Sequence, residues 1–377
     1  MGGSTLQGLG RRRLETASMN PMIRLRPYTN AAMKRLRRPP AFVESATQSI
    51  ILEPEMKMTH RPPLLINGEM DRVTGFSPGD TFDRAKALIF GGEVTKAPLI
   101  RYEFKNILVY PTGLSTEAAN YMRSLSLPHR ELMSGKLTRL PKALSTHTSV
   151  SVRYFGHWLG DSCPTALLKE EDEALLMTNK DEWPHTAEYS HLFGLTPEAP
   201  GVYHVETLSW VHDIGQGENR ARRCRELRRR LRAHDDLKEE KAGGGLVYLR
   251  RGLSGVRREI AHEDELIARL AAKGFKILDI TGLSARDLLR QALDAEICVT
   301  IDGSHMDHAH YFLKEHGLLL VIQPSDRFCL APLERADAFG LNTAFIVADA
   351  SPDGYVVDAD KILRTIDLWR KQKAATA

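Results

Sequence analysis

The alternation of apolar and polar positions changes character along this chain. From about residue 245, short apolar runs recur at regular spacing: Leu246–Leu249, Phe275–Ile280, Ile297–Ile301, Leu318–Ile322 and Thr343–Val347. Each is short and rich in Val, Ile and Leu, so each predicts a buried strand. Between them lie helical stretches: His262–Lys273 stopped by Gly274, Ala285–Leu293 capped by Ser284, Met306–Glu315 closed by Gly317, and Pro332–Phe339 stopped by Gly340. Strands and helices in this alternation predict βαβ units and a parallel sheet. A last amphipathic helix, Ala359–Gln372, lies beyond the final strand and is expected to pack back across a domain interface.

Upstream the texture is less regular. Asn106–Tyr110 and Ala174–Met177 predict strands, as do Val202–Val205 and Thr207–Val211. Ser115, followed by Glu117, reads as the cap of a helix. His157–Lys169 and Trp183–Phe193 predict further helices, the second stopped by Gly194. Arg220–Lys241 predicts a highly charged helix whose sparse apolar face is Cys224, Leu227 and Leu231, its arginines forming a solvated face. Gly243–Gly245 then reads as a linker.

A chain of 377 residues is long enough for two domains. The expected division is a basic, partly disordered extension (1–60), an N-terminal α/β domain (61–241), a C-terminal Rossmann-like domain (242–350) and a closing helix (351–377). A net charge of +4 does not demand a polyanionic partner, although arginines cluster locally. The four cysteines are far apart and show no zinc spacing, which points to a reducing compartment. No apolar stretch could span a bilayer, and no signal peptide is evident. The expected location is cytoplasmic; the basic N-terminal segment reads first as a solvated tail, with peripheral contact to the inner face of a membrane as the alternative.

In open parallel sheets, ligands bind beyond the carboxyl ends of the strands. After Leu246–Leu249 come Arg250, Arg251, Arg257 and Arg258, interspersed with Gly252 and Gly255. Forked guanidinium donors suit phosphate, and the loop leads towards a helix N-terminus. Neither a Walker A loop nor GxGxxG is present. After Ile297–Ile301 come Asp302, Gly303, Ser304 and His305, where backbone amides could hold a diphosphate and Asp302 or His305 a hydroxyl. Asp307, His308 and His310 follow, at a spacing that does not converge well on a metal. In the N-terminal half, His157 and Asp161 stand four apart, hence on one helical face, which suits a general base with an orienting partner.

Three segments in order resemble glycosyltransferase family 61. They are GHWLGDSCP at 156–164, VYLRRGLSGVRREIAHEDELIARLAAKGFKIL at 247–278 and TIDGSHMDHAHYFL at 300–313, within a likeness that covers roughly residues 150–350. The sequence departs from the family pattern at His262-Glu263, where Asn-Glu is usual, and at Asp302-Gly303-Ser304, where His-Gly-Ala is usual. The resemblance implies a GT-B fold of two facing Rossmann-like domains. It also implies inverting transfer from a nucleoside-diphosphate sugar to a glycan or other hydroxyl acceptor, with no cofactor and no obligatory metal. Arg250 and Arg258 would hold the diphosphate, Asp302 to His305 would line the donor pocket, and His157 and Asp161 would face the acceptor. Bacterial members of this type are linked to surface polysaccharide synthesis. Two other readings stay open from the residues alone: a non-catalytic sugar-nucleotide or glycan-binding module, and a nucleic-acid-binding protein using Arg220–Arg232, against which the acids and the lack of interleaved aromatics in that helix argue.

Overall fold

The computed structural model describes residues 21–36, 40–121, 127–178, 183–237, 245–252, 256 and 258–376. Seven strands build an N-terminal sheet: β1 (Gln48–Glu53), β2 (Leu99–Tyr110), β3 (Gly113–Ser115), β4 (Asn120–Tyr121), β5 (Leu137–Ser145), β6 (Ala174–Leu176) and β7 (Val202–His212). Their order is β4-β3-β2-β7-β5-β6, with β1 also on β2. β2 and β7 run antiparallel, while β7, β5 and β6 are mutually parallel, so the sheet is mixed. β1 pairs antiparallel with the first half of β2, so residues 48–53 of the expected extension belong to the sheet. The basic residues 1–20, which include Arg11–Arg13, lie outside the described residues.

Two expectations fail here for local reasons. Ser115 caps no helix. Its hydroxyl donates to Asn120 Oδ1 at 2.7 Å, while Thr116 Oγ1 accepts from the amides of Ala118 and Ala119, turning the chain straight into β4. The two short strands expected within 202–211 are one continuous strand, because every residue from Tyr203 to Val205 and from Thr207 to His212 has a partner on β2.

The C-terminal sheet contains β8 (Leu246–Arg250), β9 (Phe275–Asp279), β10 (Ala295–Ile301), β11 (Leu313–Pro324), β12 (Asn342–Ser351) and β13 (Gly354–Val356). The order is β9-β8-β10-β11-β12-β13, parallel except for the antiparallel β13, an edge strand beyond the one expected to be last. Leu319 and Val321 point to one face and Leu318, Leu320 and Ile322 to the other, and both sets are buried. Such two-sided burial is what near-continuous apolar strands require. The helix Ala359–Thr376 covers the second face with Ile362, Ile366 and Trp369, alongside Leu266 and Leu270.

The first face of this sheet shares one apolar core with helices from the N-terminal half. Val247, Leu249, Cys298, Leu319 and Val321 are in the same cluster as Trp158, Cys163, Tyr189, Cys224, Leu227 and Leu231. Residues 60–96 also reach the C-terminal sheet. Leu64 bridges to Ala344, and the helix Phe82–Phe90, capped by Thr81, packs Ala85, Leu88 and Ile89 against Phe328, Leu333 and Phe345.

The arginine-rich helix spans Glu218–Ala233 and is not a solvated element: Arg220, Arg223 and Arg228 are buried. Arg228 donates to the carbonyls of His310 and Leu313, and Arg232 to those of Tyr311 and Leu313. These donors satisfy the end of a single helical turn, Ala309–Phe312, where a longer helix to Glu315 was expected. Gly317 therefore lies inside β11 instead of closing a helix. The linker expected at Gly243–Gly245 falls on residues outside those described, apart from Gly245. Among the described residues, no helix is long and apolar enough to cross a membrane.

Candidate active site

A cleft of about 690 Å³ opens between the N-terminal half and the carboxyl edge of the C-terminal sheet. His157 and Asp161 line one side, and Arg258, Asp302, Gly303 and Ser304 line the other. The strand order places these last residues with purpose. Numbered from β8, it reads 2-1-3-4-5, so the switch point lies between β8 and β10, where the two carboxyl-end loops diverge.

His157 and Asp161 sit on a helical run over 155–166 that widens into a π-turn at Trp158–Ser162. Such bulges re-aim side chains and recur at functional sites. His157 Nδ1 stands 2.5 Å from Asp161 Oδ2. Arg220, itself 1% exposed, pairs with Asp161 Oδ1 and donates to Asp213 O at 2.8 Å. Arg335 donates to Asp307 Oδ1 at 2.8 Å and brings its Nη2 to 2.7 Å from His157 Nδ1. Nδ1 has only one in-plane direction for a hydrogen bond. Beside an ionised carboxylate it carries the proton and donates to Asp161, so Arg335 is a close electrostatic neighbour and not a second hydrogen-bond partner. That tautomer leaves the lone pair on Nε2.

Burial opposes charge on Asp161, but Arg335, Arg220 and His157 outweigh it and hold the carboxyl far below its ordinary range. Asp302 goes the other way: burial raises its carboxyl, with Arg258, Arg251 and Arg327 only partly offsetting the effect. Burial also lowers His305 well below the ordinary imidazole range, helped by Arg251 and Arg258.

The glycines of the Gly156-His157-Trp158-Leu159-Gly160 run admit the C-terminal half. A Cβ on Gly156 would lie 2.2 Å from Asp307 Oδ2, so the carboxylate can approach the backbone only because that atom is missing. Gly303 has φ +156°, and a Cβ there would lie 1.9 Å from Arg251 Nη1.

The other sequence-predicted residues divide. Arg250 and Arg251 line a second, adjoining pocket of about 420 Å³, and Arg258 lines both. Arg250 is held by Glu263 at 2.9 Å. Arg258 is paired with Asp302 Oδ2 at 3.0 Å. Arg257 lies outside the described residues. His305 turns inward, 5% exposed, to meet Thr300 Oγ1 at 2.7 Å, and does not line the cleft. His310 stacks on Phe339 with its Nδ1 3.3 Å from Asp307 Oδ1, but His308 is taken by Tyr189 at 2.7 Å, so the three do not converge on one point. Among the described residues, the side chains with metal-ligand spacing are His191, His234 and Asp236, none of which lines the cleft.

Sequence reasoning missed Arg220, Arg335 and Arg327. Arg220 was legible in principle, since it falls three to four residues from Arg223 and Cys224 on the apolar stripe. Arg327 follows β11 at the same carboxyl edge as the other loops. Arg335 carries no local signal.

The family model for Glycosyltransferase 61 matches residues 155–319, from the turn bearing His157 into β11. This segment, under half of the chain, supports an assignment to glycosyltransferase family 61 and, with it, glycosyltransferase activity in general. No curated protein gives a significant match to the chain.

Proposed function

We propose that this protein moves a sugar from a nucleoside-diphosphate donor to a hydroxyl of a glycan or other acceptor, with inversion, in a GT-B-type arrangement. The observation that carries the reading is the meeting, in one cleft, of the His157–Asp161 pair with Arg258 and Asp302–Ser304 at the switch point. His157 Nε2 accepts the proton of the acceptor hydroxyl as its oxygen attacks the anomeric carbon. The bond from that carbon to the diphosphate oxygen breaks on the opposite face, and the nucleoside diphosphate leaves with the electron pair. Asp161, kept ionised, stabilises the imidazolium, which then returns its proton to solvent. Asp161 is in this scheme the orienting partner and not the base, because a carboxylate so far depressed is a poor proton acceptor. Guanidinium groups supply the positive charge that the leaving diphosphate needs, so turnover is expected to survive a chelator.

The test begins with thermal shift against a panel of nucleoside diphosphates and nucleotide sugars, since a ligand of the folded state raises its apparent stability. The matching donor is then assayed for transfer, with the product anomer read by NMR. The expected result is an inverted product, and a loss of roughly 10²–10⁴ in kcat for His157→Ala with the fold kept. Full turnover in His157→Ala removes the assigned base. A donor that binds without transfer or hydrolysis points instead to a binding module on the same fold.

A further inference from the structure

Arg327 stands in the turn after β11, at the carboxyl edge of the C-terminal sheet, and lines the cleft. The turn is held firmly. Ser325 Oγ accepts from the Ala350 amide at 3.1 Å, and Asp326 accepts from the Tyr355 hydroxyl at 3.0 Å. The guanidinium it presents is different. Among the described residues nothing gives it a hydrogen bond, and its Nε is shielded from solvent without a partner.

The other cleft arginines whose partners are defined are already neutralised. Arg84 pairs with Asp80 and Glu334, Arg335 with Asp307, and Arg258 with Asp302. A shielded donor left unmade costs free energy, which an anionic ligand would recover. Arg327 lies within electrostatic range of Arg251 and Asp302, so positive charge accumulates where the two pockets meet. Arg258 forms part of both pocket walls. A ligand with its nucleoside in the smaller pocket must thread its phosphates past Arg258 to reach the cleft, and Arg327 is there to receive them.

We infer that Arg327 binds the diphosphate of the donor, with the nucleoside in the smaller pocket and the sugar directed towards His157. This rests on the glycosyl-transfer reading and adds to it a residue beyond the family-matched segment.

The experiment is titration calorimetry on the full chain, wild type, Arg327→Ala and Arg327→Lys. Inorganic pyrophosphate, the common nucleoside diphosphates and the corresponding nucleosides are the probes. Arg327→Ala is expected to weaken pyrophosphate and the preferred nucleoside diphosphate about 10–100-fold, the range for a charge-assisted hydrogen bond, while leaving nucleoside affinity unchanged. Arg327→Lys should recover part of the loss, since an ammonium keeps the charge without the fork. Equal diphosphate affinity in Arg327→Ala and wild type overturns the inference, as does a wild type that does not bind pyrophosphate. Arg327-dependent pyrophosphate binding without binding of any nucleoside diphosphate keeps the anion site and rejects the donor reading. Because no described residue hydrogen-bonds the guanidinium, the alanine variant should fold, and its circular dichroism spectrum checks this.

Discussion

The helix Glu218–Ala233 and the loop that follows β8 are both dense in arginine, yet their guanidinium groups meet different surroundings. In the helix, Arg220 is sealed against Asp161 and Asp213, and Arg228 serves backbone carbonyls. In the loop, Arg250 and Arg258 are paired with acids but border pockets. The carboxylates record the contrast: Asp161 is driven far down and Asp302 is pushed up. Partner geometry decides what an arginine does. Two guanidiniums converging on one carboxylate outweigh burial, whereas at Asp302 burial wins.

The most forceful way to break this comparison is Arg220→Ala. It leaves Asp161 and Asp213 short of a buried countercharge and is expected to cost about 3–5 kcal/mol, seen as a lower midpoint in urea. A cost below about 1 kcal/mol would place Arg220 with the surface arginines. A subtler pair is Asp161→Asn against Asp302→Asn, followed by unfolding midpoint from neutral pH into acid. Asp161 has a folded pKa below its unfolded value, so its stability is present above the ordinary carboxylate range near pH 4 and is lost as pH falls below it. Asparagine there should lower stability at pH 7 and flatten that acid loss. Asp302 has a folded pKa above its unfolded value, so the folded state binds the proton more tightly and the penalty for its charge is relieved as pH falls. Asparagine there should preserve or raise stability at pH 7. Matching behaviour of the two variants would erase the distinction. The smallest effect is expected from Arg250→Ala, whose partly exposed pair with Glu263 contributes under about 1 kcal/mol, with Tm as the readout.

Much of the C-terminal half was legible because its strands are buried on both faces and its helices carry ordinary stops. Ser284 does accept from the Asp287 amide, and Gly274 and Gly340 do adopt positive φ. The helix expected over 306–315 failed because Arg228 and Arg232, some eighty residues upstream, take its carbonyls. Ser115 failed because a serine before an acid is also a good turn former, and Asn120 was the better partner.

At the site, local periodicity was enough to pair His157 with Asp161, since residues four apart share a helical face whatever the fold. Carboxyl-edge logic was enough to mark Arg258 and Asp302. What sequence alone determined, then, were contacts set by backbone period and by strand direction. Only the tertiary structure decided that Arg335 and Arg220 flank the pair, that His305 faces Thr300, and that Arg327 reaches the cleft with no hydrogen-bond partner for its guanidinium among the described residues. Those outcomes depend on how distant segments are brought together, and the charge state of a buried group is set by every neighbour within a few ångströms, not by its neighbours in the chain.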